Sequence, residues 1–258
     1  NSVWIDIAEK NARFLLSVMK DREGRLLHSY KAADNSSSET SGGPRILGYL
    51  DDHAYFIDAL ITLYESTFDY FYIEVAQNLA DHMIRRFWDQ ESEVFYDTSL
   101  EHSKLIVRPR DILDNAVPSG GSIAALSLLR LSSLTGESCY ASKAESSIKS
   151  LVPQMRRAPL SVTSWISATD FLKTDSNQIV LLGNPEDPLL TEMLREVRSR
   201  YLPNLVLAGA GRHDPNDEKS PLLHGKDMLK GKPTAYVCKD YICKVPVSSA
   251  PELSDQLD

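Results

Sequence analysis

The sequence predicts a mainly α fold, a partial ring of helical hairpins followed by a small C-terminal α/β extension. Three observations carry this. Amphipathic helix patterns come in pairs along the first two thirds of the chain. Chemical classes recur at a spacing of 68 residues. After Asp175 the pattern changes to short apolar runs around one helix. In the 68-residue register Trp4 falls on Tyr72 and Tyr72 on Tyr140. Ala8, Ala76 and Ala144 align, as do Leu16, Ile84 and Val152. Leu60 meets Leu128, Leu63 meets Leu131 and Thr67 meets Thr135. Such register marks stacked copies of one supersecondary unit. The period exceeds the roughly 34–47 residues of common helical solenoids. A unit of two helices cannot bury its apolar face alone, so the copies pack side by side around a concave centre.

The elements follow in order. Val3 to Lys20 is amphipathic, with Ile7, Phe14, Leu15 and Val18 apolar, and Arg25 to Tyr30 is short and extended. Asn35 to Gly43 is small and polar, as exposed loops are. From Tyr49 to Ser66, Leu50, Ala54, Ile57, Ile61 and Tyr64 recur at steps of 3 or 4, the period of a helix face. Tyr72 to Trp88 is its partner. Pro118 to Leu134 and Tyr140 to Met155 repeat the pair, and Leu160 to Leu172 adds a helix. Residues 1–175 are therefore read as the helical part and 176–258 as the α/β extension. In the extension Gln178 to Gly183 and Leu205 to Ala208 read as strands flanking a helix from Leu189 to Tyr201, a strand–helix–strand unit. Gly209 to Pro233 is loop-rich, Thr234 to Val247 suggests a hairpin, and the tail is expected to fray.

The 258 residues suffice for a large core. A hydrophobic fraction of 42% and a charged fraction of 25% are ordinary for a globular chain. The net charge of −8 argues against a nucleic-acid partner, which needs clustered Lys and Arg. No apolar run approaches the roughly 20 residues of a membrane span. The chain opens on Asn1, on what the register makes the second helix of a hairpin, so a longer protein is expected. Three cysteines make a disulfide framework unexpected. Cys139 reads as a small core residue. Cys238 and Cys243, placed diagonally by a turn at Lys239-Asp240, read as free thiols in a reducing, cytoplasmic setting. No metal and no cofactor are expected.

Two segments gather groups able to do chemistry: Gly48-Tyr-Leu-Asp-Asp-His-Ala54 and Asp114-Asn-Ala-Val-Pro-Ser-Gly-Gly-Ser122. The repeat sets Asp51 over Ser119, and both segments open the first helix of a hairpin. A ring brings such starts to one rim, which requires Leu50 and Pro118 to lie at the same end of the molecule. Asp51, Asp52 and Asp114 are candidate catalytic acids or bases, since glycoside hydrolysis needs one protonated and one ionised carboxyl. They are equally placed to offset helix dipoles. His53 suits proton transfer near neutral pH or a buried role against the first turn. Ser119 and Gly120 let backbone N–H groups approach a ligand, or let helices pack closely. Arg108 binds a carboxylate or braces its neighbours, and Tyr49 and Tyr96 offer faces for a sugar ring or belong to the core.

These segments, with Gly24-Arg-Leu-Leu27, Phe95-Tyr96-Asp97-Thr98, Val107-Arg108-Pro109 and Leu134-Thr135-Gly136, resemble the spermatogenesis-associated protein 20 family, also described as a thioredoxin-domain-containing family. The resemblance runs from about residue 3 to about residue 247. It implies an α/α toroid of the six-hairpin glycosidase type, similar to N-acylglucosamine 2-epimerases and unsaturated glucuronyl hydrolases, preceded in the full-length protein by a thioredoxin-like domain as its partner. The resemblance carries a fold more firmly than a reaction, and it is the convergence of polar helix starts in the 68-residue register that makes a carbohydrate-active hydrolase or epimerase the leading reading. The alternative it leaves open is a non-catalytic scaffold or interaction module attached to that redox domain. Two positions depart from the family pattern. His53 stands where Tyr is usual after Leu-Asp-Asp, and Gly121 where Asn is usual after Pro-Ser-Gly.

Overall fold

The computed structural model describes residues 2–32, 42–103, 106–174, 177–210, 220–239 and 241–257. Helix α1 (Ser2–Val18) leads through a turn at Gly24 into strand β1 (Leu27–Lys31), which pairs antiparallel with β2 (Gly43–Leu47). The expected extended strip is thus half of a two-stranded ribbon whose second strand begins at the end of the polar stretch. Residues 35–41 of that stretch lie outside the described residues, as do 211–219 of the loop-rich segment and Asp240.

Helix α2 (Leu50–Thr67) and α3 (Phe71–Phe87) form the first full hairpin, followed by the paired short strands β3 (Trp88–Asp89) and β4 (Val94–Phe95). Helix α4 (Gly120–Thr135) and α5 (Ser138–Arg157) form the second, and α6 (Thr163–Lys173) follows a 3-10 turn at Pro159–Ser161. The register holds. Moving α1 on by 68 residues gives 70–86, against Phe71–Phe87 for α3, and moving α3 on gives 139–155, inside α5.

Local chemistry sets the ends. The side chain of Ser119 caps α4 by accepting from the Ser122 N–H, and Gly136 closes it in the left-handed conformation at φ 75°, its N–H donating to Ser132 O. Asp69 accepts the Phe71 N–H at the start of α3, and Arg85 and Arg86 in its last turn favour the negative end of its dipole. Helices α2 and α4 are apolar on more than one face. Ala54, Ile57, Leu60 and Ile61 on α2, and Ala124, Ala125, Leu128 and Leu131 on α4, are fully buried. This follows from their place, since α2 packs on α1, α3 and α4, and α4 packs on α2, α5 and α6.

The later residues build a four-stranded sheet in the order β6-β5-β7-β8. Strand β5 (Asn177–Leu182) runs parallel to β6 (Leu205–Ala210) across α7 (Pro188–Ser199), and β7 (Thr234–Lys239) lies antiparallel on its other side, with β8 (Ile242–Cys243) at the edge. Alternate strand residues point to opposite faces. Ile179, Leu181 and Leu207 pack with Leu190 and Met193 of α7. Val180, Leu182, Val206 and Ala208 join the helical core. The joint is polar as well as apolar. Tyr64 Oη lies 3.3 Å from Gly209 N and 3.4 Å from Gly209 O. Arg130 pairs with Asp58 and, at 2.8 Å, with Glu65, whose other oxygen accepts the Leu207 N–H. Burial pushes the Glu65 carboxyl up against the pull of Arg130.

Three expectations are corrected. Cys238 and Cys243 are disulfide-bonded with Cα atoms 3.9 Å apart. The pairing is Lys239 with Ile242, so the turn falls one residue later than expected and the cysteines stand directly opposite rather than diagonally. The cysteine argument for a reducing setting goes with it. Cys139 is exposed, not core. The tail is not frayed: α8 (Ala250–Leu257) packs on α7 and β7, buries Leu253 completely, and starts with Ser249, whose hydroxyl accepts the Glu252 N–H at 3.4 Å and donates to the Glu252 carboxylate at 2.7 Å. No helix among the described residues is long and apolar enough to cross a membrane.

Gly121 has a packing reason. A Cβ there would lie 2.8 Å from Trp165 Cζ2, so the indole of α6 fills the space a side chain would need. Gly121→Ala is expected to lower stability by about 1–3 kcal/mol through overpacking, outweighing the ~0.5–1 kcal/mol that Ala gains over Gly in a helix. Urea unfolding of the two proteins checks this, with Gly121→Asn expected to cost more.

Candidate functional site

The starts of α2, α4 and α6 lie together. A Cβ on Gly120 would come within 3.0 Å of Asp51 N and 3.1 Å of Asp51 Cα, so only glycine lets the two helix starts approach this closely. Tyr55, one turn into α2, donates its hydroxyl to Pro118 O at 2.8 Å. Leu50 and Pro118 therefore lie at the same end. Asp114 ties in α6. One of its oxygens accepts the Ser119 N–H at 3.1 Å, and the other accepts the Ser164 N–H at 2.7 Å and the Thr163 hydroxyl at 3.1 Å. Its whole carboxylate is thus occupied in joining α4 to α6.

Asp51 is different. It is exposed in the first turn of α2, and Oδ1 accepts the Asp52 N–H at 2.9 Å. Beside it lies Asp97, just beyond β4. The Asp97 backbone accepts from Leu50 N at 2.9 Å and donates to Pro109 O at 3.0 Å. Its side-chain Oδ2 accepts the Asp111 N–H at 2.7 Å. Burial raises the Asp97 carboxyl above the usual range against that hydrogen bond, and the charges of Asp111 and Asp51 add to the rise. The Tyr55 phenol is also pushed up, first by burial and then by the carboxylates of Asp51, Asp114 and Asp58. Asp51, Asp97, Asp114 and Tyr55 thus share one neighbourhood.

The other predicted residues divide into two groups. Tyr96 and Arg108 belong to the strip next to Asp97. The Arg108 guanidinium sits 4.6 Å over the Tyr96 ring and donates to Thr98 O and Arg86 O, which is bracing. Tyr49, Asp52 and His53 point their contacts elsewhere. Asp52 Oδ2 accepts the Tyr49 N–H at 2.8 Å and faces His28 Nδ1 at 2.8 Å. His53 is 4% exposed, donates from Nδ1 to Tyr49 O at 2.8 Å and tilts against Phe87. Burial pushes its imidazole below the usual range, which favours the neutral form. The Tyr49 ring is stacked on His102 at 5.0 Å and edge-on to His28 at 5.1 Å. His102 accepts the Ser99 N–H at Nδ1, which leaves Nε2–H to donate to Leu47 O at 3.2 Å. These groups fix the entry into α2. Ser119, 5% exposed, is the cap of α4, and Gly120 is the contact point with Asp51.

Sequence reasoning missed Asp97. It follows a two-residue strand and belongs to no periodic face, so only its neighbours in Phe95-Tyr96-Asp97-Thr98 drew attention to it. The pair has a clear chemical capacity. One carboxyl holds its proton to higher pH while an exposed carboxyl stands near, the division that acid–base catalysis uses.

The chain is 31% identical over 254 residues to human spermatogenesis-associated protein 20, covering 96% of this chain and 32% of the relative. It is 30% identical over 251 residues to the rat protein of that name, covering 95% of this chain and 32% of that relative. The chain belongs to the spermatogenesis-associated protein 20 family. An uncharacterized protein of Caenorhabditis elegans, B0495.5, is 27% identical over 253 residues, 98% of this chain and 34% of its own. The chain spans about a third of the length of the curated relatives it matches. No protein-family model matches it.

Asp114→Ala removes the acceptor for three donors at once and is expected to cost about 1–3 kcal/mol, the usual penalty for leaving such groups unpaired. Asp51→Asn, at an exposed position, is expected to stay within about 0.5 kcal/mol of the parent. Denaturant titration of both variants separates the positioning carboxylate from the open one.

Proposed function

We propose that residues 1–175 are part of an α/α toroid acting on carbohydrate, as a glycoside hydrolase or sugar epimerase, and that 176–258 are the α/β extension closing its lower side. The observation that carries the reading is the pair of carboxyls at the joined helix starts, Asp97 raised by burial and Asp51 open to solvent. In this reading Asp97 donates a proton to the leaving oxygen or sugar carbon, and Asp51 supplies the ionised partner. Tyr55 and Tyr96 border the pair and offer a polar tip and a ring face. Asp114, Ser119, Gly120 and Arg108 act as positioning residues, and Asp52, Tyr49 and His53 hold the first turn of α2 in place.

A non-catalytic reading has one observation in its favour. A groove of ≈ 600 Å³ between α1 and α2, lined by Trp4, Ala8, Ala12, Leu15, Phe56 and Leu63, is strongly apolar, and Trp4 is 68% exposed. Such a face suits an interaction module, with a thioredoxin-like domain of the whole protein as its partner.

A panel of mono- and oligosaccharides is expected to raise the melting temperature of the parent, with the shift lost in Asp51→Asn. Absence of any shift across the panel in the full-length protein would sink the carbohydrate reading. Turnover, once a substrate is found, is expected to fall about 10²–10⁴-fold in Asp97→Asn. The parent rate falls as pH rises through the raised Asp97 pKa, because the acid must carry its proton. The same shift has a stability sign. A carboxyl held above its unfolded pKa disfavours the fold once ionised, so parent stability falls as pH rises through the folded value. Asp97→Asn is expected to flatten that dependence in thermal melts.

A further inference from the structure

The Cys238–Cys243 disulfide stands apart from the site above, and its surroundings differ from those of a structural staple. The hairpin it joins is closed without it. Lys239 pairs with Ile242, Lys244 N donates to Val237 O at 2.9 Å, and Ala235 and Val247 exchange N–H···O bonds of 2.8 and 3.0 Å. Tyr241 N is held by Gln178 Oε1 at 3.0 Å. The bond spans a separation of five residues, and a short loop already closed by a ladder gains little from a cross-link.

The two sulfurs are also unequally placed. Cys238 is 1% exposed on β7, beside the central strand, whereas Cys243 is partly exposed on the edge strand. A cleft of ≈ 620 Å³ opens alongside, lined by both cysteines and by Asn177, Lys239, Ile242, Lys244 and Gln256 among others. The charged side chains among its described lining residues are Lys239 and Lys244, both exposed. Lys244 Nζ donates to Gln256 O at 2.7 Å, which holds it at the cleft wall. Positive charge beside a sulfur favours thiolate chemistry, and it attracts anions.

We propose that this pair is an exchangeable disulfide whose cleft receives a small anionic thiol of glutathione's chemistry, with Cys243 as the sulfur attacked. The incoming thiolate forms a bond to Cys243 Sγ. The Cys238–Cys243 bond breaks, its electron pair leaves on Cys238 Sγ, and that sulfur takes a proton from water. The product is a mixed disulfide on Cys243. A second thiolate attacks the small molecule's sulfur in it and releases Cys243 as a thiolate, which is protonated in turn. Two small thiols are oxidised to one disulfide, and one protein disulfide is reduced to two thiols. Cys139 is a separate exposed thiol, pushed up by burial and then by Glu137 and Asp81, and Cys139→Ser removes it from the measurement.

The experiment treats Cys139→Ser protein with reduced glutathione under native conditions, traps the thiols by alkylation and maps them by peptide mass. The bond is expected to open with the far-ultraviolet circular dichroism unchanged, and to re-form with oxidised glutathione. In the single variants Cys238→Ser and Cys243→Ser, oxidised glutathione is expected to modify Cys243 about 10-fold faster than Cys238. At low salt, reduced glutathione is expected to open the parent bond about 10-fold faster than cationic cysteamine at equal thiolate concentration. That preference should vanish in Lys239→Gln/Lys244→Gln. A bond that opens only in denaturant, equal modification of the two cysteines, or equal rates for the anionic and cationic thiols would each overturn the proposal.

Discussion

Backbone meets backbone where α4 begins. Gly120 lies so near Asp51 that no side chain fits between them, and this contact determines how the two inner helices sit. Because the starts touch, the Tyr55 hydroxyl reaches Pro118 O and the apolar faces below come into register, Leu60 and Ile61 with Leu128 and Leu131. Ser127 Oγ lies 3.4 Å from Ala54 O within this interface. Close approach of this kind needs small residues at the crossing and large ones flanking it. Gly120 and Gly121 together serve two of the neighbours of α4, the first facing α2 and the second facing the Trp165 indole of α6.

The polar groups at the rim acquire their properties from that packing. Asp114 is fully occupied because α4 and α6 begin side by side. Asp97 is raised because the chain between β4 and Pro109 is drawn over the start of α2, where Leu50 N anchors it. Asp51 stays open because its neighbour in space is a glycine, which brings no side chain to cover it. A carboxylate's availability is here a consequence of helix spacing, and burial raises Asp97 even against the opposing charge of Arg110.

Much of this was legible in the residues. The 68-residue register located α2 to α5 to within a few residues, because apolar periodicity over long helices is the strongest local signal. The convergence of Asp51, Asp114, Ser119 and Gly120 followed from the same register. Shorter features escaped it. Strand β2 begins at Gly43, the last residue of the stretch that reads as loop, and is held by pairing to β1 across a gap of sequence. The disulfide was lost to a one-residue error in turn placement, which exchanges a diagonal pair for a direct one. Asp97 carried no sign of burial in its own neighbours, since what covers it comes from residues more than ten positions away. His53 and Arg108 were each read with two roles open, and their hydrogen bonds follow the structural one.

The shared core between helices and sheet has a consequence for the order of events during synthesis. The ends of α2 and α4 that carry Tyr64 and Arg130 are covered by β6, and the central strand of that sheet is completed only by β7. A ribosome would have made every helix of the hairpin array long before Val237 left its exit tunnel. Until then the underside of the array stays wet and adhesive, so the nascent helices depend on the strands that follow them, β5 to β7, for protection from their neighbours.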